Sequence, residues 1–476
     1  MPWLQASRRA MPSSANGASE AAVVNVTEDA ALDLSRYLRP GDRVVWGQGC
    51  AEPQALTELL VRQRHRLGGI TCFVGLPAAD VIRPEHTGQH TGQRTGRHTG
   101  ADTGGLALES YCGTGGNARL HEAGRLAIVP VHYGALPGLL AGGRLAADAV
   151  FVQVSAPDGA GRHSLGLADD YFSAALDTAR VVIAEVNDQV PFTLGARTLS
   201  AADWTACVRS SRPPAELPAA PPSAAVTAVA ERVAGLVQDG ATLQFGIGGL
   251  PEACLDALRG HRDLGIHSGL LNDAAMRLIE AGVATGARKT VDPGVAVGGF
   301  LGGSAALFRF ADRNPAVQLR GTGYTHDPAI LAAQRQLTAI NAALEVDLSG
   351  QVNAEVARGR YVGSVGGASE FLRGAARSPG GVPIIALPST AGPASGRASG
   401  RASGEGGVSR IVVRLSGPVS TPRSDAGVIV TEHGVADLRG APVTVRYERM
   451  LAIAHPDHRA ALAAELEENL MNGALA

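Results

Sequence analysis

The strongest constraint on this chain is a pattern that occurs twice. Gly41-Asp42-Arg43-Val44-Val45-Trp46-Gly47-Gln48-Gly49 aligns with Gly240-Ala241-Thr242-Leu243-Gln244-Phe245-Gly246-Ile247-Gly248 at an offset of 240 − 41 = 199. Gly41, Gly47 and Gly49 match Gly240, Gly246 and Gly248, and Trp46 matches Phe245. Leu56 and Leu59 match Leu255 and Leu258 at the same offset. Each copy reads as a turn, a short apolar strand (Arg43–Trp46, Thr242–Phe245), a Gly loop and a helix. Pro53 or Pro251 stands near the helix start, where a missing N–H costs little. Between the copies, residues 212–223 hold Pro213, Pro214, Pro218, Pro221 and Pro222 and read as a semi-rigid linker. A motif recurring on both sides of a linker implies two related halves.

The rest of the chain agrees with that division. At about 150 residues per domain, 476 residues allow two to three domains. A 45% hydrophobic and 18% charged composition can bury large cores. Short, mostly β-branched runs at 126–131, 149–154, 181–186, 384–387, 411–415 and 428–431 read as buried strands. Val226, Val229, Val233, Leu236 and Val237 predict an amphipathic helix over 223–238, stopped by Asp239-Gly240. Strands buried on both faces that alternate with helices imply parallel sheets covered by helices. The expected fold is therefore α/β: two tandem open α/β/α domains with mainly parallel sheets, over 21–212 and 223–476, joined by a linker at 213–222. In such sheets ligands bind beyond the carboxyl ends of the strands.

Several function classes fall away. A formal charge of −2 lacks the basic footprint of a nucleic-acid binder. No run of about 18 apolar residues is free of charge or Gly, so no transmembrane helix is expected. Residues 1–20 are Ser/Ala-rich with Arg8 and Arg9, lack a secretory apolar region, and read as a disordered leader. Five scattered Cys without a Cys-x-x-Cys fit a reduced, cytoplasmic protein with no zinc site. Low-complexity insertions at 86–105 and 394–407 read as surface loops. His86, His90 and His98 belong to a slippage-type repeat and are not read as metal ligands.

Three segments carry candidate chemistry. Gly246-Ile247-Gly248-Gly249-Leu250-Pro251 follows a strand and opens a helix, so its backbone can approach an anion closely. It lacks the third Gly of a dinucleotide fingerprint and the Lys of a P-loop. Glu345 and Asp347 alternate with apolar residues and share one face of a strand, for which an exposed edge strand is the plain explanation. Gly366-Gly367 forms another Gly turn before an apparent helix at 369–375.

Taken in order, the 246–251 loop, Leu264-Gly265-Ile266-His267, Glu345-Val346-Asp347-Leu348-Ser349-Gly350-Gln351-Val352 and Val365-Gly366-Gly367 resemble the acetyl-CoA hydrolase/transferase family. Ala386-Leu387-Pro388-Ser389-Thr390, Thr421-Pro422-Arg423 and Val430-Thr431-Glu432-His433-Gly434 continue the resemblance. Gly49-Cys50-Ala51-Glu52-Pro53 and Ala184-Glu185-Val186-Asn187 extend it into the first half. The resemblance implies an active site between the two domains and CoA transfer from a short-chain acyl-CoA, such as acetyl-CoA, to a carboxylate. Coenzyme A or acyl-CoA would be substrate, no metal would be needed, and the protein would be a homo-oligomer, a dimer first of all. Gly246, Ile247, Gly248, Gly249, Leu250, Gly366 and Gly367 would contact CoA. A catalytic Glu would attack the thioester and then carry CoA.

At that position the sequence departs from the family. The transferases read Thr-Glu-Met after Gly-Ile-His, whereas here His267 is followed by Ser268, Gly269 and Leu270. Gly269 has no side chain with which to form an anhydride. Three readings follow: another carboxylate substitutes, with Glu345 first and Glu52 or Glu432 next; Gly269 leaves room for water or direct transfer; or the site binds CoA without turnover. His267 reads as structural, and Arg423 and Lys289, the only lysine, are candidates for CoA phosphates.

Overall fold

The structure is a computed structural model that describes residues 24–26, 32–88, 105–392 and 407–473. The leader, His90, His98 and most of both low-complexity insertions lie outside the described residues. His86 is inside them and its Nδ1 accepts a hydrogen bond from the Arg83 N–H, a local turn contact.

The first half builds one sheet from β1 (Val24–Val26), β2 (Arg43–Trp46), β3 (Thr71–Val74), β4 (Ala107–Ser110), β5 (Leu126–Ile128), β6 (Ala149–Val154), β7 (Val181–Asn187) and β8 (Ala206–Ser210). Their order is β1-β8-β7-β6-β2-β3-β4-β5, all parallel. The second half uses β9 (Thr242–Phe245), β10 (Gly265–Ile266), β11 (Leu337–Ala342), β12 (Val382–Ala386), β13 (Val428–Thr431) and β14 (Gly434–Asp437). Their order is β10-β9-β11-β12-β13-β14, parallel except for the β13–β14 pair. The run β3-β2-β6-β7-β8 of the first sheet is the run β10-β9-β11-β12-β13 of the second. The sequence repeat is thus a topological repeat, with β2 and β9 in equivalent places.

Every residue of β6 and β7 is buried. That two-sided burial explains why these strands read as continuous apolar runs rather than alternating ones. The 126–131 run ends as a strand at Ile128, before Pro130, which has no N–H to give a ladder. The predicted 223–238 helix forms as Ala224–Ala234, with the Ser223 side chain accepting from the Val226 N–H. It stops early because Gly235 follows; Leu236 and Val237 donate to Val233 and Ala234, three residues back, and tighten the last turn. The 411–415 run contributes only Ile411–Val412, paired with Glu345–Asp347 in a small separate sheet.

The halves are not independently packed. The largest apolar cluster contains Phe73, Val150 and Tyr171 from the first half and Phe245, Leu270, Phe300 and Leu301 from the second. Backbone bonds cross the same boundary: Asp169 N–H to Gly299 (2.9 Å), Leu301 N–H to Leu167 (2.8 Å) and Tyr133 N–H to Gly366 (3.0 Å).

Phe245 is fully buried in that cluster. Phe245→Ala should remove about 3–5 kcal/mol of stability. Trp46 and Trp204 both lie in the first half. Their fluorescence should nevertheless report the lowered urea midpoint, because the cluster is shared. An unchanged tryptophan midpoint would mean that the halves unfold separately.

Candidate active site

The carboxyl ends of strands from both sheets meet at a cavity of about 350 Å³. That volume lies within the range of small-molecule sites, roughly 300–1,000 Å³. Gln48 follows β2, Leu76 follows β3, and Tyr111 and Cys112 follow β4. From the second half, Gly246, Ile247 and Gly248 follow β9, Gly269 follows β10, and Asn341 and Ala342 end β11. His326, Gly366, Gly367 and Phe371 complete the wall. Two helices begin at the cavity: α1 (Gly249–Asp256) after Gly248 and α2 (Ala368–Arg377) after Gly367. The first N–H groups of a helix have no partner within it and carry partial positive charge. Gly248 sits at φ +118°, a conformation that favours glycine, so this turn is closed to most other residues.

Among the described residues, no Asp, Glu, Lys or Arg lines the cavity. Several of its polar groups are bonded to one another or to groups just behind the wall. Gln244 and Asn341 pair reciprocally through their amides at 3.2 and 2.9 Å. Gln48 donates to the Tyr133 hydroxyl (2.6 Å) and to Asp170 (2.9 Å), and its carbonyl accepts from Tyr111 (2.6 Å). Asp170 lies behind this wall, and burial pushes its carboxyl up to about 7. Burial also raises the Cys112 thiol and holds the Tyr111 and Tyr133 phenols far above their usual range. These three groups therefore stay protonated at neutral pH and are poor nucleophiles.

His326 is the remaining titratable group in the wall. Its Nδ1 is 2.9 Å from Thr325 Oγ1, and its ring packs between Tyr133 (centroids 5.0 Å) and Phe371 (4.6 Å). Burial pushes it down to about 3, so the imidazole is neutral. A Cβ placed on Gly269 would lie 3.3 Å from its Cε1 and 3.6 Å from its Nε2. Gly269 therefore leaves the space in front of this ring open.

The structure brings Gly246, Ile247, Gly248, Gly269, Gly366 and Gly367 to one cavity. Gly249 lines a different groove, and Leu250 packs on the apolar cluster around Val229 and Ile340. Glu345 does not line the cavity. Its carboxylate accepts from the Ser416 N–H (2.6 Å) and hydroxyl (2.9 Å), the Gly417 N–H (3.2 Å) and Asn353 Nδ2 (2.9 Å). Those bonds close a turn and tie the carboxylate up, which argues against its use as a substitute nucleophile. Asp347 is buried rather than on an exposed edge, its oxygens bound by the Ser349 and Gln351 N–H groups. Glu52 is buried beside Thr57 and raised by burial to about 7, while Glu432 caps the Ser389 N–H and hydroxyl. Neither lines the cavity.

The cations expected at phosphates are also elsewhere. Lys289 donates to the carbonyls of Ile266 (2.9 Å) and Val295 (2.6 Å), and burial lowers it to about 8. It is an internal brace. Arg423 is exposed and does not line the cavity. His267 is structural as expected: it is buried, with Nε2 3.1 Å from the Thr325 carbonyl. A larger groove of about 880 Å³ runs under the Pro-rich segment, but Glu231, Glu252, Asp256 and Asp273 line it against a single Arg277, an unfavourable setting for phosphates.

Residues 303–466 match the acetyl-CoA hydrolase/transferase C-terminal domain. The chain is 38% identical over 349 residues to the 4-hydroxybutyrate coenzyme A transferase of Clostridium kluyveri, covering 73% of this chain and 79% of that protein. It belongs to the acetyl-CoA hydrolase/transferase family. Solved structures agree. RipA from Yersinia pestis superposes with a TM-score of 0.82 at 32% identity, over 93% of this chain and 97% of that one. The 4-hydroxybutyrate CoA-transferase of Porphyromonas gingivalis superposes at 0.74 and 33% identity, over 94% and 97%. Family members act on CoA thioesters, and no helix among the described residues is long and apolar enough to cross a membrane. His326 escaped notice in the sequence because Thr325-His326-Asp327 matches no spacing rule; only the fold brings it opposite Gly269.

The buried carboxyl of Asp170 has a consequence for pH. Its folded value of about 7 lies above the unfolded 3.8. Between those values the folded state holds the proton that the unfolded state has released, so stability falls as pH rises through that window. Asp170→Asn removes this term. The urea midpoint of the wild type should therefore drop relative to the variant as pH rises from 4 toward 7, and parallel curves would contradict the assigned burial.

Proposed function

We propose that this chain cleaves the thioester of a short-chain acyl-CoA, such as acetyl-CoA, in the cavity between its halves, with water as the acyl acceptor. The observation that carries this reading is the uncharged wall. Among the described residues it offers no carboxylate to form a glutamyl thioester and no Arg or Lys to hold the carboxylate of an acceptor. Burying an unpaired carboxylate is costly, whereas water enters without that penalty. Gly269, at the position where the family resemblance puts the nucleophile, leaves space for that water.

In this reading the acyl group and the pantetheine end of CoA occupy the cavity. Ile247 is 48% exposed, an apolar side chain at a Gly loop suited to the pantetheine arm. Backbone N–H groups at the start of α2, next to Gly367, face the developing oxyanion, where donors placed in advance stabilise negative charge. A homodimer in a reduced, cytoplasmic setting accompanies this reading, from the family likeness and the Cys pattern.

A second reading, transfer of CoA to a small carboxylate, is supported by the transferase relatives. Acetyl-CoA with and without propionate separates the two. Hydrolysis predicts free CoA at the same rate in both mixtures and no propionyl-CoA. Propionyl-CoA formed without free CoA would replace this reading by transfer. Binding of acetyl-CoA with neither product would make the protein a non-catalytic binder. After hydrolysis starts, hydroxylamine trapping followed by mass spectrometry should find no modified carboxylate on the chain.

A further inference from the structure

We propose that His326 is the catalytic base that delivers water to the thioester, an inference that rests on the hydrolytic reading above. Four observations support it. The imidazole lines the cavity. It is fixed there on three sides, by Thr325 Oγ1 at Nδ1 and by the rings of Tyr133 and Phe371. Its Nε2 has no protein hydrogen-bond partner among the described residues. Two glycines flank that nitrogen: a Cβ on Gly269 would stand 3.6 Å from Nε2 and one on Gly367 2.5 Å from it. A side chain at either place would crowd the nitrogen or displace the ring.

The chemistry of the wall leaves no competitor. Cys112, Tyr111 and Tyr133 are the other ionisable groups lining the cavity, and burial keeps each of them protonated. His326 is neutral for the same reason, since burial penalises its cation. In the tautomer this role requires, Nδ1–H donates to Thr325 Oγ1 and Nε2 keeps a free lone pair.

The step balances as follows. The water oxygen bonds to the thioester carbon while one of its protons passes to Nε2. The carbonyl π pair moves onto oxygen, toward the N–H groups at the start of α2. Collapse of the tetrahedral species breaks the C–S bond, and Nε2 returns its proton to sulfur. The products are the carboxylic acid, which ionises in solvent, and CoA thiol. Burial that keeps the ring neutral also weakens it as a base, so the imidazolium forms only together with the oxyanion, whose charge offsets it, and then returns its proton readily to sulfur.

The test measures acetyl-CoA hydrolysis by wild-type protein, His326→Ala and His326→Gln, as release of free thiol. Loss of a general base typically costs about 10²–10⁴-fold in rate. Both variants should therefore lose about 100-fold or more in kcat with KM nearly unchanged. Added imidazole should restore part of the rate to His326→Ala, whose vacated space can hold it, and none to His326→Gln. Thermal melting of both variants identifies any that fail to fold, and His326→Gln preserves most of the ring volume. Activity within about threefold of wild type in either folded variant would overturn the proposal. So would a loss without imidazole rescue and with a raised KM, which would mark a positioning role. If wild-type protein binds acetyl-CoA yet releases no thiol, the hydrolytic reading itself fails. If wild-type protein hydrolyses and the variants do as well, only the role of His326 fails.

Discussion

The apolar cluster that spans the two halves is the contact on which the rest depends. Each sheet alone would end in a set of Gly loops facing water. Packing Phe73, Val150 and Tyr171 against Phe245, Phe300 and Leu301 holds the carboxyl ends of both sheets together. The backbone bonds of Asp169, Leu301 and Tyr133 then fix the relative position of the walls. A close-packed interface of this kind leaves little freedom to slide. The cavity is consequently a product of the interface, and its wall is built by residues from both halves.

Much of the fold was legible because parallel strands buried on both faces leave an unambiguous trace. The strands Arg43–Trp46, Thr242–Phe245, Ala149–Val154 and Val428–Thr431 have the bounds that their apolar runs suggest. The repeat went further, because the equal spacing of two Gly loops reflects an equal strand order. Local stops were harder to see. Pro130 cut one strand short, Gly235 cut one helix short, and the 411–415 run joined a small sheet of its own. At Pro130 the missing N–H outweighed the hydrophobic pattern.

The site was legible only where its residues sit in loops with a backbone signature. The Gly loops at 246–248 and 366–367 announce themselves through what they lack, a Cβ. Glu345 misled because alternation along a strand shows which face a carboxylate takes but not what meets it there; Ser416, Gly417 and Asn353 do. Lys289 misled similarly. An ammonium near Gly-rich sequence suggests phosphate, yet the carbonyls of Ile266 and Val295 surround this one. His326 gave no signal, since its meaning comes from Gly269, 57 positions earlier (326 − 269 = 57).

The electrostatics around the cavity bear on the proposed choice of water as acceptor. Asp170 is bonded to the wall residues Gln48 and Tyr133, and Glu370 holds the Gly134 N–H across the half boundary at 3.1 Å. Both receive hydrogen bonds that favour the ionised form, yet burial lifts each to about 7. Desolvation therefore outweighs those bonds at two separate points beside the cavity. A carboxylate entering from solvent would meet the same penalty, and the lining residues hold no cation to offset it. The thioester and water are both neutral and avoid the penalty. In the proposed hydrolysis the negative charge first arises on the carbonyl oxygen, near the N-terminus of α2 in the cavity wall. A pocket that disfavours anions until the bond to water forms is better matched to the hydrolytic transition state than to a bound carboxylate acceptor.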